Sequence, residues 1–306
     1  MKIRFAVLLM SMLAVLVLTG CQTSKEGVLA EVNGIEITQE EFDRDFEVNK
    51  TRVEKQYGDD ALSQVGIDGR TIGESLRDSI LESLIIQKLI LWDSNEKEIT
   101  VSQDEVDASI DLWKDELGGD QAFNEFLDSN GFDLKYFSEY EKNRLLVEKH
   151  REIVLSGVEI SDQKAQDYYG QNSDSLVEVK ASHILLGTEE DAARVLQRLQ
   201  NGEDFPTVAM LESLDSESAV RGGDLGYFSR GYYSIAEFED EAFSLEVGEV
   251  SGIVKTEVGY HIIWIQDKLD TYEELSDKVI DTMKDESYYD YIEQLRENAK
   301  VSKYLE

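Results

Sequence analysis

The 306-residue chain has one cysteine, three histidines and fewer than half as many basic as acidic residues. Each shortage excludes something. A single cysteine, Cys21, cannot close an internal disulfide, so the folded body must be held by its cores. The balance of 30 Lys and Arg against 65 Asp and Glu gives a net charge of −35. Such a body repels phosphate backbones and anionic lipid heads, so nucleic acid is excluded as a partner. The acid is spread along the whole sequence, which fits solvated helix faces better than a calcium site. Gly-rich phosphate loops are absent, and nothing repeats at a fixed period. What is present is a folded composition, 41% apolar and 9% aromatic, in a chain long enough for two modest domains.

Lys2 and Arg4 precede an apolar run from Phe5 to Leu18. The run is too short to cross a bilayer, which takes about 20 residues. A positive tip, an apolar stretch and small residues before a cut site mark a secretory signal. Leu18-Thr19-Gly20-Cys21 resembles the lipobox of bacterial lipoproteins. That resemblance implies cleavage before Cys21, lipid on its thiol, an acylated new amino end, and hence an extracytoplasmic body held to the cell membrane. Loss of Lys2 and Arg4 would take the charge from −35 to −37.

Val28 to Ile37 reads as two short strands around Asn33-Gly34, a strong tight-turn signal. Thr38, with Glu41 three residues on, opens a helix by a capping box. A Gly-rich stretch, Tyr57 to Gly73, precedes an apolar helix over about 74–96. Ser102 with Glu105 opens another helix, which Gly118-Gly119 closes, and two more cover about 122–129 and 134–155. The pattern changes after Gly157. Ser161 caps a helix expected to end at Tyr169-Gly170, and a strand is expected over Leu176 to Leu186. Helices begin at Thr188 and Phe205, Val250–Lys255 and Gly259–Gln266 read as strands, and Thr271 to Lys300 returns to a charged helix. Tyr288, Tyr289, Tyr291, Ile292 and Leu295 on that helix fit either a client-binding strip or packing onto the earlier helical block. The fold class is α+β: a compact block set between a mainly helical amino-terminal region and a closing helix that packs with it. The expected divisions are a signal over 1–20, a helical region over 21–157, the compact block over 176–270 and the closing helix over 271–306.

His183 and His261 lie on strands at opposite ends of the compact block, and spacing alone does not bring them together. Four segments around them occur in register. They are Ala181-Ser182-His183-Ile184-Leu185, Arg221-Gly222-Gly223-Asp224-Leu225-Gly226-Tyr227-Phe228, Val247-Gly248-Glu249-Val250-Ser251 and Gly259-Tyr260-His261-Ile262-Ile263. Over about Val177 to Lys268 they resemble a parvulin domain. Together with the lipobox, the hairpin at 32–38 and the helices, the chain resembles the PrsA-type foldase lipoproteins, with a helical part similar to the chaperone domain of SurA.

The resemblance implies a peptidyl-prolyl cis/trans isomerase that acts on X-Pro bonds and assists secreted proteins to fold. Its partners would be unfolded or partly folded secreted polypeptides and the membrane. By the same resemblance His183 and His261 form a hydrogen-bonded couple, Asp215 tunes that network and Thr256 sits beside the second histidine. Leu225, Phe228, Tyr233 and Phe238 wall a proline cup. The reaction breaks no bond to carbon, so no cofactor or metal is expected. His183, His261 and Asp215 lack the close local spacing usual for zinc. Phosphate-demanding parvulins carry a basic cluster soon after the first histidine, where this chain has Glu189-Glu190-Asp191, so no phosphopeptide specificity is expected. Val258 departs from the serine many relatives carry there. It motivates the alternative, a holdase whose parvulin block is catalytically silent.

Overall fold

The computed structural model of the protein describes residues 26–304. The expected signal and Cys21 lie outside the described residues. The chain divides into two compact units, one drawn from Met1–Ile153 with Tyr291–Glu306, the other from Val154–Asp290.

The first unit opens with β1 (Val28–Val32) and β2 (Ile35–Thr38), antiparallel across Asn33-Gly34. Both turn residues have positive φ, 50° and 90°, as a two-residue turn matched to strand twist requires. Thr38 then caps α1 (Gln39–Tyr57): its Oγ1 accepts from Glu41 N at 3.2 Å, and Glu41 Oε2 accepts from Thr38 N at 3.1 Å. A short 3-10 turn follows at Ala61–Ser63. The apolar helix α2 (Ile72–Glu96) starts two residues earlier than its pattern suggests, because Thr71 and Glu74 form a second capping box. Next come α3 (Gln103–Leu117), α4 (Asp120–Asn130) and α5 (Leu134–Leu155). One core joins Ala30, Val32 and Ile37 of the hairpin to Phe42, Phe46, Leu84 and Leu89; another gathers Val106, Ile110, Phe123, Leu127 and Phe137.

The second unit begins with α6 (Asp162–Leu176), which runs straight through the end expected at Tyr169-Gly170. Ala165 and Leu176 explain this: they are buried with Leu275 and Val279, so packing at both ends outweighs a glycine penalty of about 1 kcal/mol. After it come β3 (Glu178–Leu186), α7 (Glu189–Gln200), α8 (Phe205–Glu212), α9 (Ser216–Ala219), β4 (Asp224–Ser229), α10 (Ala236–Ser244), β5 (Val254–Thr256) and β6 (Gly259–Leu269). The four strands form an antiparallel sheet in the order β4-β3-β6-β5. One face is covered by Phe238, Ala242 and Leu245, with Val179, Ala181, Ile263 and Ile265 beneath. The other carries Ile184, Leu186 and Ile262 under Ala192, Val195, Phe205 and Val208.

The strand expected over Val250–Lys255 is mostly irregular. Ser251 N donates to Ile263 O at 2.7 Å, but the Ile263 N–H goes to the Ser251 hydroxyl rather than to a carbonyl, which interrupts the ladder. The chain continues in α11 (Tyr272–Asn298) and ends its described part with β7 (Val301–Lys303), which pairs with β1 in the first unit. Within that unit the Tyr291 hydroxyl donates to Asp93 at 2.7 Å and Ile292 is buried, so these two residues pack, whereas Tyr289 is exposed.

Candidate active site

The two histidines meet because their strands are neighbours and their register is right. In the β3–β6 ladder His183 stands opposite Ile263 and Leu185 opposite His261. Side chains alternate with period two, so His183, Leu185 and His261 share one face and the imidazoles are diagonal neighbours. The loop carrying Asp215 is tied to the same strand, since Leu214 N donates to Leu185 O at 2.8 Å. The double glycine closes the other side. His183 N donates to Gly223 O at 2.9 Å, and a Cβ on Gly223 would lie 2.4 Å from the His183 carbonyl oxygen. Only glycine allows that approach at a φ of +85°.

The polar side chains form one line. Asp215 Oδ2 lies 2.8 Å from His183 Nε2, His183 Nδ1 lies 3.2 Å from His261 Nδ1, and His261 Nε2 lies 3.0 Å from Thr256 Oγ1. With one proton on each ring, a single arrangement satisfies every partner. Thr256 O–H donates to His261, His261 Nδ1–H donates to His183, and His183 Nε2–H donates to the Asp215 carboxylate. Thr256 Oγ1 also accepts from Val258 N at 3.3 Å. Both histidines and Thr256 are buried. Asp215 divides its labour: Oδ1 accepts from Glu217 N at 3.2 Å as the cap of α9, and Oδ2 serves His183 and the hydroxyl of Ser218.

Electrostatics follow from this packing. Burial, helped by the neighbouring His183 and opposed by Asp215, pushes the His261 imidazole down to about 4. Burial would raise the Asp215 carboxyl, but bonds from Ser218 and His183 outweigh it and hold the group at about 2. The line is therefore anchored by a fixed negative charge at one end and a neutral imidazole further in.

An aromatic layer adjoins the line. The Phe238 ring centroid lies 5.8 Å from that of His183 and 5.3 Å from that of His261, edge to face with both. Tyr233 stands edge-on to Phe228 at 4.9 Å and to Phe238 at 5.5 Å. Phe228 and Phe238 are buried, while Tyr233 and Leu225 are half-buried and keep exposed surface. The sequence grouped all four as walls; the structure puts Tyr233 and Leu225 at the surface and the two phenylalanines behind them.

His183, Asp215, His261 and Thr256 thus come together in one network, with Leu225, Phe228, Tyr233 and Phe238 beside it. Ser218 belongs to the same network and was missed by the sequence reading: its Oγ lies 3.2 Å from His183 Nε2. The Asp-x-x-Ser spacing from Asp215 was the available signal. Among the described residues no group of three His, Cys, Asp or Glu side chains could hold a metal ion.

Known proteins supply the family. A family model for a PPIC-type PPIase domain matches residues 168–269, and one for a SurA-like N-terminal domain matches residues 1–151. The chain is 37% identical over 243 residues to the foldase protein PrsA of Halalkalibacterium halodurans, covering 74% of this chain and 71% of that one. It is 34% identical over 252 residues to the foldase protein PrsA of Caldanaerobacter subterraneus subsp. tengcongensis, covering 80% and 76%. Among solved structures, the peptidylprolyl isomerase PrsA of Bacillus anthracis is similar at 31% identity and a TM-score of 0.34, over 68% of this chain and 88% of that one. The chain belongs to the PrsA foldase family, and its second unit carries a parvulin-type peptidyl-prolyl cis/trans isomerase domain.

Proposed function

We propose that this chain is an extracytoplasmic foldase, anchored by lipid on Cys21, that isomerises X-Pro bonds in secreted polypeptides and holds them while they fold. In this reading residues 1–20 are a signal, 21–157 the holding region, 176–270 the isomerase and 271–306 the closing segment. The observation that carries the catalytic part is the line Asp215–His183–His261–Thr256, buried against Phe238.

Rotation about a peptide bond faces a barrier of about 18–20 kcal/mol because conjugation is lost. An acceleration of ~10⁴ needs about 5.5 kcal/mol of selective stabilisation of the twisted amide. As the amide twists, its nitrogen becomes pyramidal and charge leaves the carbonyl oxygen. A half-dry apolar surface favours that loss of polarity, and fixed dipoles beside it need no reorganisation. Tyr233 and Leu225 would receive the proline ring, with Phe238 and Phe228 stiffening them from behind. Asp215 and Thr256 would hold the two imidazoles in one tautomeric state under the carbonyl. The acidic run after β3, with Glu189 and Glu190 exposed and Asp191 half-buried, supports unphosphorylated substrates. In the first unit a hollow of about 460 Å³, lined by Trp113, Phe126 and Tyr140 on one hand and by Asp45, Arg52 and Asn130 on the other, supports the holding of mixed polar and apolar segments.

The alternative of a silent isomerase block rests on Val258. That side chain is exposed, and its own N–H braces Thr256, so the line keeps a partner there without a hydroxyl. This favours activity. Magnetisation-exchange spectroscopy on an unphosphorylated X-Pro peptide tests the reading. The wild type should accelerate exchange, and Asp215→Ala and His261→Ala should each lose about tenfold or more while circular dichroism is retained. A wild type that leaves exchange at the uncatalysed rate would leave only the holdase.

A further inference from the structure

Glu239 is buried on α10, one residue after the Phe238 that touches both histidines. Its two oxygens are fully used on one short loop: Oε2 accepts from Gly231 N and Oε1 from Tyr233 N, each at 2.8 Å. That loop joins β4 to α10 and is otherwise sparsely bonded. Its other main-chain bonds are Tyr232 N to Ser229 O at 3.3 Å and the first turn of α10, whose cap residue Ile235 contributes no side-chain bond. Gly231 sits at a φ of +87° and adds no side chain to fix the bend. A buried carboxylate that spends both oxygens on two loop N–H groups costs desolvation that a surface residue would avoid. The loop it holds carries Tyr233.

From this arrangement we infer that Glu239 is a positioning residue for the isomerase: it fixes the Tyr233 ring against Phe228 and Phe238, and so sets the width of the slot that takes proline. The inference deepens the proposed reading and rests on Tyr233 being a wall of that slot. Glu239 touches neither the histidines nor the substrate directly. Its effect belongs to substrate binding, so removing it raises KM and leaves kcat nearly unchanged, the pattern of an interaction equal in ground and transition states.

The test is a double-mutant cycle on the full-length protein, read as kcat/KM and as its split into kcat and KM. Glu239→Gln keeps the shape but turns an NH₂ group toward a loop N–H. It should lower kcat/KM about tenfold, mostly through KM, as expected for loss of one charge-assisted bond. Tyr233→Ala should lower kcat/KM by a comparable factor. In the Tyr233→Ala background, Glu239→Gln should cost less than about twofold, because the ring it positions is gone. Asp240→Asn, which weakens only the exposed pair between the next residue of α10 and Arg230 of the loop, should leave activity unchanged. Equal losses from Glu239→Gln in both backgrounds would assign it a general structural role and overturn the inference. So would an unaffected Glu239→Gln enzyme beside a crippled Tyr233→Ala one. If Tyr233→Ala itself turned over normally, the slot reading would fall and the inference with it.

Discussion

His183 and His261 face each other through their Nδ1 atoms at 3.2 Å, with room for one proton between them. A second proton in that gap would set two N–H groups against each other and leave a charged ring inside a buried layer, with Asp215 reaching only the outer imidazole. Burial already pushes His261 down to about 4. Since that lies below the ordinary histidine value of about 6.5, the neutral ring is the folded form. Its contribution to stability is whole above about pH 6.5 and is lost as pH falls toward 4, on the order of 3 kcal/mol in all. Asp215, held at about 2, adds a term that is present above about pH 3.8 and lost below it. Imidazole ¹⁵N spectra should therefore keep His261 in one neutral tautomer down to about pH 5. A His261 ring titrating near 6.5 would contradict its burial in the line.

Ser218 gives a way to move the anchor of that line without touching an imidazole. Its hydroxyl donates to Asp215 and lowers the carboxyl. Ser218→Ala should raise the Asp215 value, so the acid limb of both stability and activity moves to higher pH, with a cost of about 1 kcal/mol at neutral pH. A carboxyl ¹³C titration of Asp215 in the two proteins measures the shift. An unchanged titration would mean that His183 alone sets the charge.

The double glycine makes a sharper steric test. Gly223→Ala would put a methyl 2.4 Å from the His183 carbonyl oxygen at a φ of +85°. Relief requires the loop to leave β3, so the expected cost is about 3 kcal/mol or more, with loss of activity. Gly226→Ala is the control: φ is +70°, but nothing lies within 4 Å of the new atom. It should cost only the left-handed penalty of about 1–2 kcal/mol. Thermal unfolding of the two variants decides, and equal losses would remove the close approach as the reason for glycine at 223.

These contacts also mark what could be read from sequence. Capping boxes are local, three residues apart, and Thr38–Glu41 and Ser102–Glu105 were legible for that reason. Thr71–Glu74 was hidden by the surrounding glycines, which drew the start of α2 too late. The segment of β4, Asp224-Leu225-Gly226-Tyr227-Phe228-Ser229, carries the family motif but lacks clean alternation and sits at the sheet edge, so its pattern does not read as a strand. The pairing of His183 with His261 spans 78 positions and depends on register, which no local pattern encodes. Only the resemblance supplied it. Glu239 left no signal at all: one acid among 65 looks like surface until a loop N–H is found on each oxygen.

The charge of −35 should make stability depend on salt. Cations in the described residues are largely committed to pairs such as Arg198–Glu203 and Lys88–Glu41, so the excess acid meets other acid. Raising sodium chloride from about 0.01 to 1 M shortens the screening length from about 30 to 3 Å. The melting temperature should rise as self-repulsion is screened. A midpoint that stays fixed or falls would show that the ion pairs, which salt weakens, outweigh the repulsion.

The anchor is the part of the proposal furthest from the isomerase chemistry, and it has its own test. If Cys21 is lipidated, the chain should pellet with membranes and its mass should exceed that of the peptide beginning at Cys21 by the acyl chains. Each buried methylene contributes about 0.8 kcal/mol, and one chain alone binds only reversibly, so stable retention needs the further chains that the lipobox implies. Cys21→Ser removes the thiol and should release a soluble or uncleaved protein. Its second unit should isomerise X-Pro peptides at the wild-type rate, since nothing in the line from Asp215 to Thr256 involves residues before 177. An unmodified amino end on membrane-extracted wild type, or identical fractionation of Cys21→Ser, would reject the anchor while leaving the isomerase untouched.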